Sequence, residues 1–496
     1  MRSTVAVFLA FLVCFVSAAD PGYAKKKQIA PVPQSGEKIR SDYGLSGQSG
    51  WMLIDLDTGE VLDQSNADQA FAPASVAKLP TAAFALDALG PDHRFTTEIV
   101  GTGPIVNGRL QGDLVLKGGG DPELDTDALM PMVNRLREQG ITGIDGKFGV
   151  DATALPQIPE IETTQAVDAS YNPSVSGLNL NFNRVHLKWD ARKGREQISV
   201  RAAAVKYSPD VERVSVALNE DPKAPVFTLH NGNGREDWLM ARWAFRGSAG
   251  RWLPVKDSAS YAGEVFRTLS TQSGLEIPAA VPVHAPKEAA TLATHESRPL
   301  GKIVRSMLRY STNITAEVTG TAATRTVGIA AGSLADSADA MNAWASIVAG
   351  FEINDPGFRL VNHSGLTVDS RVSPRRLVEL LEALGRRSAD AGAAHDRLPG
   401  GIAGYLRPYN VAVKSVPLDY KNLTVVAKTG TMSYVRGLAG YIATPKGRRL
   451  AFAIFSNDLA RRSGGAEKVN KRWMGKARGF ERSLIRNWVI KFDTAG

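Results

Sequence analysis

Apolar positions recur with two different periods along the chain, and the period separates predicted strands from predicted helices. Residues 51–62 alternate in two short runs around an Asp-Thr-Gly turn, which predicts a β-hairpin. Residues 75–89 have apolar positions at helical spacing, with Pro73 just before them. The stretch 160–255 has many short alternating segments separated by Asn, Gly, Asp and Pro, a pattern typical of a β-rich unit.

The second half of the chain mixes the same two patterns. Residues 300–350, 373–386 and 466–490 are predicted to be helical, and residues 422–456 to form antiparallel strands. By contrast, residues 25–42 are basic, contain prolines and are weakly periodic, so we expect a tether there. The sequence therefore predicts an α+β protein preceded by a linker.

The first 24 residues have the pattern of an export signal. Arg2 precedes an apolar run of twelve residues, 5–16, which is too short to span a bilayer comfortably, and small residues follow. We expect a signal peptide at 1–24 that is cleaved on export to the periplasm; an uncleaved anchor is the alternative. Cys14, the only cysteine, lies in this run, so a disulfide within the chain is excluded.

The composition is that of a globular protein, and the net charge restricts the class of binding partner. The 496 residues are 43% hydrophobic and 22% charged, which excludes a disordered chain and suggests roughly three domains. The net charge of +9 fits an anionic partner. Because the protein is predicted to be exported, nucleic acid is not expected as that partner.

A basic run near the C-terminus has two interpretations. Nine basic residues interleave with four large apolar ones between 461 and 488. The basic residues are Arg461, Arg462, Lys468, Lys471, Arg472, Lys476, Arg478, Arg482 and Arg486, and the apolar ones are Trp473, Phe480, Leu484 and Trp488. Such a helix could touch an anionic membrane face or a wall polymer. Alternatively, its apolar side packs on the folded body of the protein.

Three short motifs could provide chemistry: Ser75-Val-Ala-Lys78, Ser311-Thr-Asn313 and Lys428-Thr-Gly-Thr431. Each is common by chance when taken alone. Their contexts distinguish them, because the first begins a predicted helix, the second lies in a helical region and the third lies on a predicted strand.

The first motif can make an activated nucleophile. Ser75 and Lys78 are three residues apart, so they share one helix face. A neutral Lys78 amine could take the proton of Ser75, provided that burial or a neighbouring cation lowers its pKa. Lys428 is the candidate for that cation.

The other two motifs can complete an acyl-transfer site. The backbone N–H groups of Ser75 and Thr431 would form an oxyanion hole. Ser311 can relay a proton to the leaving amine, and Asn313 can hold Lys78 and the substrate amide. Lys428 and Thr429, followed by Gly430, can bind a substrate carboxylate.

Together the motifs resemble those of the penicillin-recognising serine enzymes. More than 200 residues separate Ser75 from Ser311, far too many for a compact β-lactamase. Such an insert is similar to that of the D-alanyl-D-alanine carboxypeptidase/endopeptidase family of low-molecular-mass class C penicillin-binding proteins, peptidase family S13. The flanking segments that match this family are 55–62, 73–78, 117–122, 178–183, 364–366, 371–374 and 437–441.

The resemblance implies a split catalytic domain with two nested inserts. The catalytic domain, an antiparallel sheet covered by helices, would comprise 25–88 and 296–496. Inserted domain II would comprise 89–165 and 258–295, and the β-rich domain III, nested within it, 166–257.

The resemblance also implies the activity. The enzyme would remove terminal D-Ala from peptidoglycan stem peptides and cleave D-Ala to diaminopimelate cross-links, without metal or cofactor, and β-lactams would acylate it. An acidic residue of the first insert would meet the free amino end of diaminopimelate, and Asp151 is the best match. A homodimer is a further expectation.

Several alternatives remain open from the residues. The same scaffold would serve a D-amino-acid amidase or esterase, or a non-catalytic wall-binding protein. The chain departs from the family's pattern at Thr312 and at Asn362-His363. His363 could contact substrate or be satisfied within its loop. The seven histidines lack the H-E-x-x-H spacing of a metallohydrolase.

Overall fold

A computed structural model describes residues 33–493 apart from 193, 195, 233, 388–396, 413–421 and 463–469. The predicted signal peptide, 1–24, and Lys468 of the basic run lie outside the described residues. None of the helices within the described ranges has the length and apolar character needed to cross a membrane.

Helices and strands are mixed along the chain. The helices are α1 (Gly36–Asp42), α2 (Lys78–Leu89), α3 (Thr126–Glu138), α4 (Ser258–Gln272), α5 (Leu300–Tyr310), α6 (Asn313–Thr326), α7 (Leu334–Ala349), α8 (Pro374–Arg387) and α9 (Lys471–Phe492). The strands are β1 (Gln48–Asp55), β2 (Val61–Ser65), β3 (Thr96–Gly101), β4 (Ile105–Val106), β5 (Arg109–Leu110), β6 (Leu114–Gly118), β7 (Gly143–Ile144), β8 (Phe148–Asp151), β9 (Arg184–Asp190), β10 (Gln197–Arg201), β11 (Val214–Asn219), β12 (Phe227–Gly232), β13 (Arg235–Ala241), β14 (Ser248–Pro254), β15 (Ala280–Pro282), β16 (Ala290–Glu296), β17 (Phe358–Arg359), β18 (Arg371–Val372), β19 (Arg407–Pro408), β20 (Thr424–Met432), β21 (Val435–Ala443) and β22 (Arg449–Asn457).

A six-stranded antiparallel sheet organises the first and last parts of the chain. Its strand order is β19-β20-β21-β22-β1-β2. Strand β21 is buried along its whole length, because helices cover both faces of the sheet. Helices α2 and α5–α8 pack on one face, and α1 and α9 on the other. The prediction of an α+β protein with a helix-covered antiparallel sheet is confirmed.

The prediction of a tether at 25–42 is wrong for residues Gly36–Asp42, which form helix α1. Ser35 caps this helix by accepting a hydrogen bond from the backbone N–H of Lys38. Gly36 packs against the Trp51 ring so closely that a Cβ would lie 2.3 Å from it. Seven residues are too few to show a helical period, and docking of Ile39 onto the sheet supplies the stability that the local sequence does not.

The chain between α2 and α5 forms a second body with its own core. A five-stranded sheet of order β15-β8-β6-β3-β16 packs with α3 and α4. Two three-stranded sheets, β10-β9-β14 and β11-β13-β12, lie within residues 184–254, where the sequence predicts a β-rich unit. The limits of the three domains remain predictions.

Helix α9 packs its apolar side on the sheet. Trp473, Phe480, Leu484 and Trp488 are buried there, and the Phe480 and Trp51 rings meet edge to face at 5.7 Å. This packing agrees with the second interpretation of the basic run. Contact of its basic side with a membrane or wall, and a homodimer, remain predictions.

Candidate active site

Ser75 lies in a short 3-10 helix, Ala74–Ala77, that leads directly into α2. Tight backbone packing fixes this segment. A Cβ at Gly365, whose φ is +71°, would lie 2.0 Å from the Ala74 carbonyl oxygen, and one at Gly430 would lie 2.3 Å from that of Pro73. Glycines thus allow the 364–366 loop and strand β20 to approach the nucleophile segment from two sides.

Lys78 is fully buried one turn after Ser75. Its Nζ donates to Ser75 Oγ at 3.1 Å, to Asn313 Oδ1 at 2.7 Å and to the Ser364 carbonyl at 2.7 Å. Burial lowers the pKa of the Lys78 ammonium to about 7, and the Glu317 carboxylate opposes that shift. A sizeable neutral fraction near pH 7 would leave a lone pair for the Ser75 proton.

Glu317 is a buried carboxylate that the sequence analysis did not identify. It lies on α6 one turn after Asn313 and is 0% exposed. Its two oxygens accept hydrogen bonds from the backbone N–H groups of His363 at 3.0 Å and Ser364 at 2.8 Å. Glu317 therefore holds the backbone at residues 363–364, and the carbonyl of Ser364 accepts the hydrogen bond from Lys78. The only signal in the sequence was its i, i+4 spacing from Asn313.

Ser311 and Lys428 form a second hydrogen-bonded pair. Ser311 joins α5 to α6 with a left-handed backbone (φ 60°), and its Oγ accepts from Lys428 Nζ at 2.9 Å. Burial, and then the positive charges of Lys78 and Arg407, lower the pKa of Lys428 well below its usual value. We expected Lys428 to lower the pKa of Lys78; for Lys78 itself, burial is the lowering cause.

A cavity of about 230 Å³ opens at Ser75. Ser311, Asn313 and Thr431 line it together with Ser75, so the structure brings the three motifs to one place. Gln165 and Tyr171, from the segment between α3 and α4, line it too. Asn313 Nδ2 donates to the Tyr171 carbonyl at 2.9 Å, which ties this segment to the site.

Strand β20 presents Thr429, Gly430 and Thr431 along the site. Thr429 Oγ1 accepts a long hydrogen bond of 3.5 Å from Arg407. A Cβ at Gly430 would lie 3.1 Å from the Ser75 backbone nitrogen, so strand and nucleophile are in close contact. No motif in the sequence points to Arg407, because Arg407 reaches Thr429 only through the pairing of β19 with β20.

Asp151, unlike Ser75, Ser311, Asn313 and Thr431, is not among the residues that line this cavity. Its Oδ1 accepts from the backbone N–H of Thr153 at 2.9 Å and from its hydroxyl at 2.7 Å. Its Oδ2 accepts from the Ala285 N–H at 2.8 Å. Burial raises the pKa of Asp151, but these hydrogen bonds outweigh it and the net shift is downward. These contacts are those of a residue that ties a turn to a neighbouring segment.

His363 is buried behind α6. Its Nε2 lies 2.8 Å from Ser337 Oγ, and burial lowers its pKa to about 3. Gly320 leaves room for the ring, since a Cβ there would lie 2.3 Å from it. His363 does not line the cavity, and its neutral ring packs the helix that presents Asn313.

A serine, a buried lysine of lowered pKa and a second serine–lysine pair around one cavity define a serine acyl-transfer site. Comparison with known proteins agrees. The profile of the D-Ala-D-Ala carboxypeptidase 3 (S13) family matches residues 37–474, and the chain belongs to this family. The predicted resemblance is confirmed, as is the class, serine-type D-Ala-D-Ala carboxypeptidases.

Individual relatives resemble the chain over most of its length. It is 25% identical over 453 residues to the D-alanyl-D-alanine carboxypeptidase DacB of Haemophilus influenzae, covering 89% of this chain and 91% of the relative. It is 26% identical over 487 residues to the D-alanyl-D-alanine carboxypeptidase of Actinomadura sp. strain R39, covering 92% and 87%. The crystal structure of penicillin binding protein 4 (dacB) from H. influenzae has the same fold, with a TM-score of 0.73 at 22% identity, covering 91% of this chain and 99% of that one.

Proposed function

We propose that the protein is an exported DD-peptidase that removes terminal D-Ala from peptidoglycan stem peptides through an acyl-enzyme on Ser75. The same chemistry would cleave D-Ala to diaminopimelate cross-links. The observation that supports it most directly is Lys78 Nζ, 3.1 Å from Ser75 Oγ in a site where burial brings the lysine pKa to about 7.

Lys78 is the general base of the first step. It takes the Ser75 proton as Oγ attacks the carbonyl of the penultimate D-Ala. The backbone N–H groups of Ser75 and Thr431 stabilise the oxyanion. Asn313 keeps the Lys78 amine next to Ser75, since its Oδ1 accepts from Nζ at 2.7 Å.

The leaving amine needs a proton before D-Ala departs. Ser311 relays it: the Ser311 hydroxyl proton passes to the amine, and the proton that Lys78 took from Ser75 replaces it, which leaves Lys78 neutral again. Lys428 donates to Ser311 Oγ at 2.9 Å, and this cation makes the hydroxyl a better donor. Lys428 and Thr429 bind the substrate's terminal carboxylate, and the positive charge of Arg407 adds to that attraction. Water then hydrolyses the acyl-enzyme, with Lys78 again as base.

Export places this chemistry where the substrate is. The expected signal peptide at 1–24 would deliver the enzyme to the periplasm, where stem peptides are found. The net charge of +9 suits an anionic wall polymer.

The test measures D-Ala released from a muropeptide ending in D-Ala-D-Ala. We expect release by the wild type and by Ser41→Ala, which alters an exposed serine of α1, but none by Ser75→Ala. A cross-linked muropeptide in the same assay measures endopeptidase activity. A folded wild type that binds peptidoglycan but releases nothing would favour the wall-binding alternative, and release from D-amino-acid amides alone would favour the amidase.

A further inference from the structure

A buried ion pair joins helix α9 to strand β21, the neighbour of the strand β20 that carries the third motif. Arg436 of β21 and Glu481 of α9 have side chains only 4% and 1% exposed. Arg436 Nε donates to Glu481 Oε1 at 2.8 Å, and Nη2 donates to Oε2 at 2.9 Å. The Tyr409 hydroxyl donates to the same carboxylate at 3.2 Å.

The remaining arm of Arg436 reaches the active site. Thr431 and Arg436 are directly paired across β20 and β21, and Nη1 donates to Thr431 Oγ1 at 2.9 Å. Thr431 in turn lines the cavity with Ser75. The guanidinium thus links the C-terminal helix to a residue of the cavity wall.

This contact determines how the Thr431 hydroxyl can act. A guanidinium only donates hydrogen bonds, so the hydroxyl must accept this one, and its own proton is directed elsewhere. An ionised donor also polarises the hydroxyl and strengthens it as a donor in turn.

Burying two charges is costly, and a pair of apolar side chains would hold β21 and α9 together as well. Arg436 donates to both Glu481 oxygens and also to Thr431, a residue of the cavity wall. That arrangement needs a reason beyond stability.

We propose that Arg436, held by Glu481 and Tyr409, is a positioning residue that fixes the Thr431 hydroxyl as a hydrogen-bond donor to an acceptor oxygen of the substrate. The inference rests on the proposed function, since it concerns the same cavity. Arg436 itself does not touch the substrate; its effect passes through Thr431.

The test is a double-mutant cycle of Arg436→Lys and Thr431→Val. Lysine keeps the charge but cannot bond Glu481 and Thr431 with the same fork. The readouts are kcat and KM for D-Ala release, the second-order rate constant of acylation by a fluorescent penicillin, and the melting temperature. Arg448→Lys is the matched control, since Arg448, in the loop between β21 and β22, pairs with Asp55 of β1 at 2.6 Å.

Each single variant is expected to lower kcat/KM and the acylation rate about tenfold. When Arg436→Lys is added to Thr431→Val, the rates are expected to fall by less than about a further twofold. The melting temperature is expected to fall whether Arg436→Lys is added to the wild type or to Thr431→Val. Arg448→Lys is expected to lower the melting temperature without changing the rates. If Arg436→Lys does not fold, Glu481→Gln takes its place in the cycle with the same expectations.

Equal rate losses in both backgrounds, or a lower melting temperature with unchanged rates, would overturn the inference. A wild type that takes the penicillin but releases no D-Ala refutes the proposed function alone, and the cycle in acylation rates still decides this inference. A wild type inert in both assays overturns both.

Discussion

Replacing Glu317 by Gln removes the buried negative charge that faces Lys78. The carboxylate holds the pKa of Lys78 up against burial, and burial in turn raises the pKa of Glu317. Without that charge, the pKa of Lys78 falls further, and the neutral base is present at lower pH. The acidic limb of the acylation profile therefore moves to lower pH.

The size of the shift follows from the burial of both groups. An opposite charge a few ångströms away moves a pKa by about 1–3 units. Starting from about 7, the pKa of Lys78 falls to about 4–6. At pH 6 the neutral fraction of Lys78 then rises from about one tenth to about half or more.

The assay measures the second-order rate constant of acylation by a fluorescent penicillin between about pH 5 and 9. Each variant's rate is normalised to its own plateau, because a less basic Lys78 also lowers the plateau. We expect the normalised rate of Glu317→Gln at pH 6 to rise about fivefold or more over wild type.

Glu317→Asp is the matched control, because it keeps the charge but disturbs the hydrogen bonds to residues 363 and 364. Its acidic limb should stay within about half a unit of wild type, although its melting temperature falls. If the acidic limb of Glu317→Gln stays where it is in the wild type, or moves to higher pH, the account of Lys78 is refuted.

Two further predictions concern stability. Gly320→Ala would place a Cβ against the buried His363 ring, and we expect it to lower the free energy of unfolding by about 1–3 kcal/mol. Denaturant titration measures this change, and unchanged stability would contradict the packing. Burial raises the pKa of Asp55, but hydrogen bonds from backbone N–H groups and from Arg448 outweigh burial, and the net shift is downward. The ionised carboxylate therefore stabilises the fold above its unfolded pKa, and this stabilisation is lost as pH falls through the lowered folded pKa. Asp55→Asn should therefore lower the melting temperature at pH 7 and progressively less toward about pH 3, whereas a loss that is constant with pH would contradict this assignment.

Short motifs and periodicity predict much of this molecule. A helical turn brings Ser75 and Lys78 together, and a single strand carries the Lys428 motif. The structure then brings these motifs into one cavity. The hairpin at 51–62 and the strands at 422–456 are confirmed because their alternation matches one buried sheet.

What could not be predicted depends on long-range packing. Glu317 is linked to Lys78 through the loop at 363–364, whose backbone N–H groups donate to the Glu317 carboxylate. Arg436 contacts Glu481 only because α9 crosses the sheet. The role of Asp151 at the amino end of diaminopimelate rests on resemblance alone and stays a prediction; its carboxylate accepts hydrogen bonds from Thr153 and Ala285. Helix α1 has only seven residues, and packing of Ile39 on the sheet stabilises it.

In the proposed mechanism Ser75 forms the covalent acyl-enzyme. Peptide mapping by mass spectrometry after incubation with penicillin locates the adduct. We expect one adduct, on the peptide that contains Ser75, and none in Ser75→Ala. An adduct on another residue, or one that persists in Ser75→Ala, would contradict it.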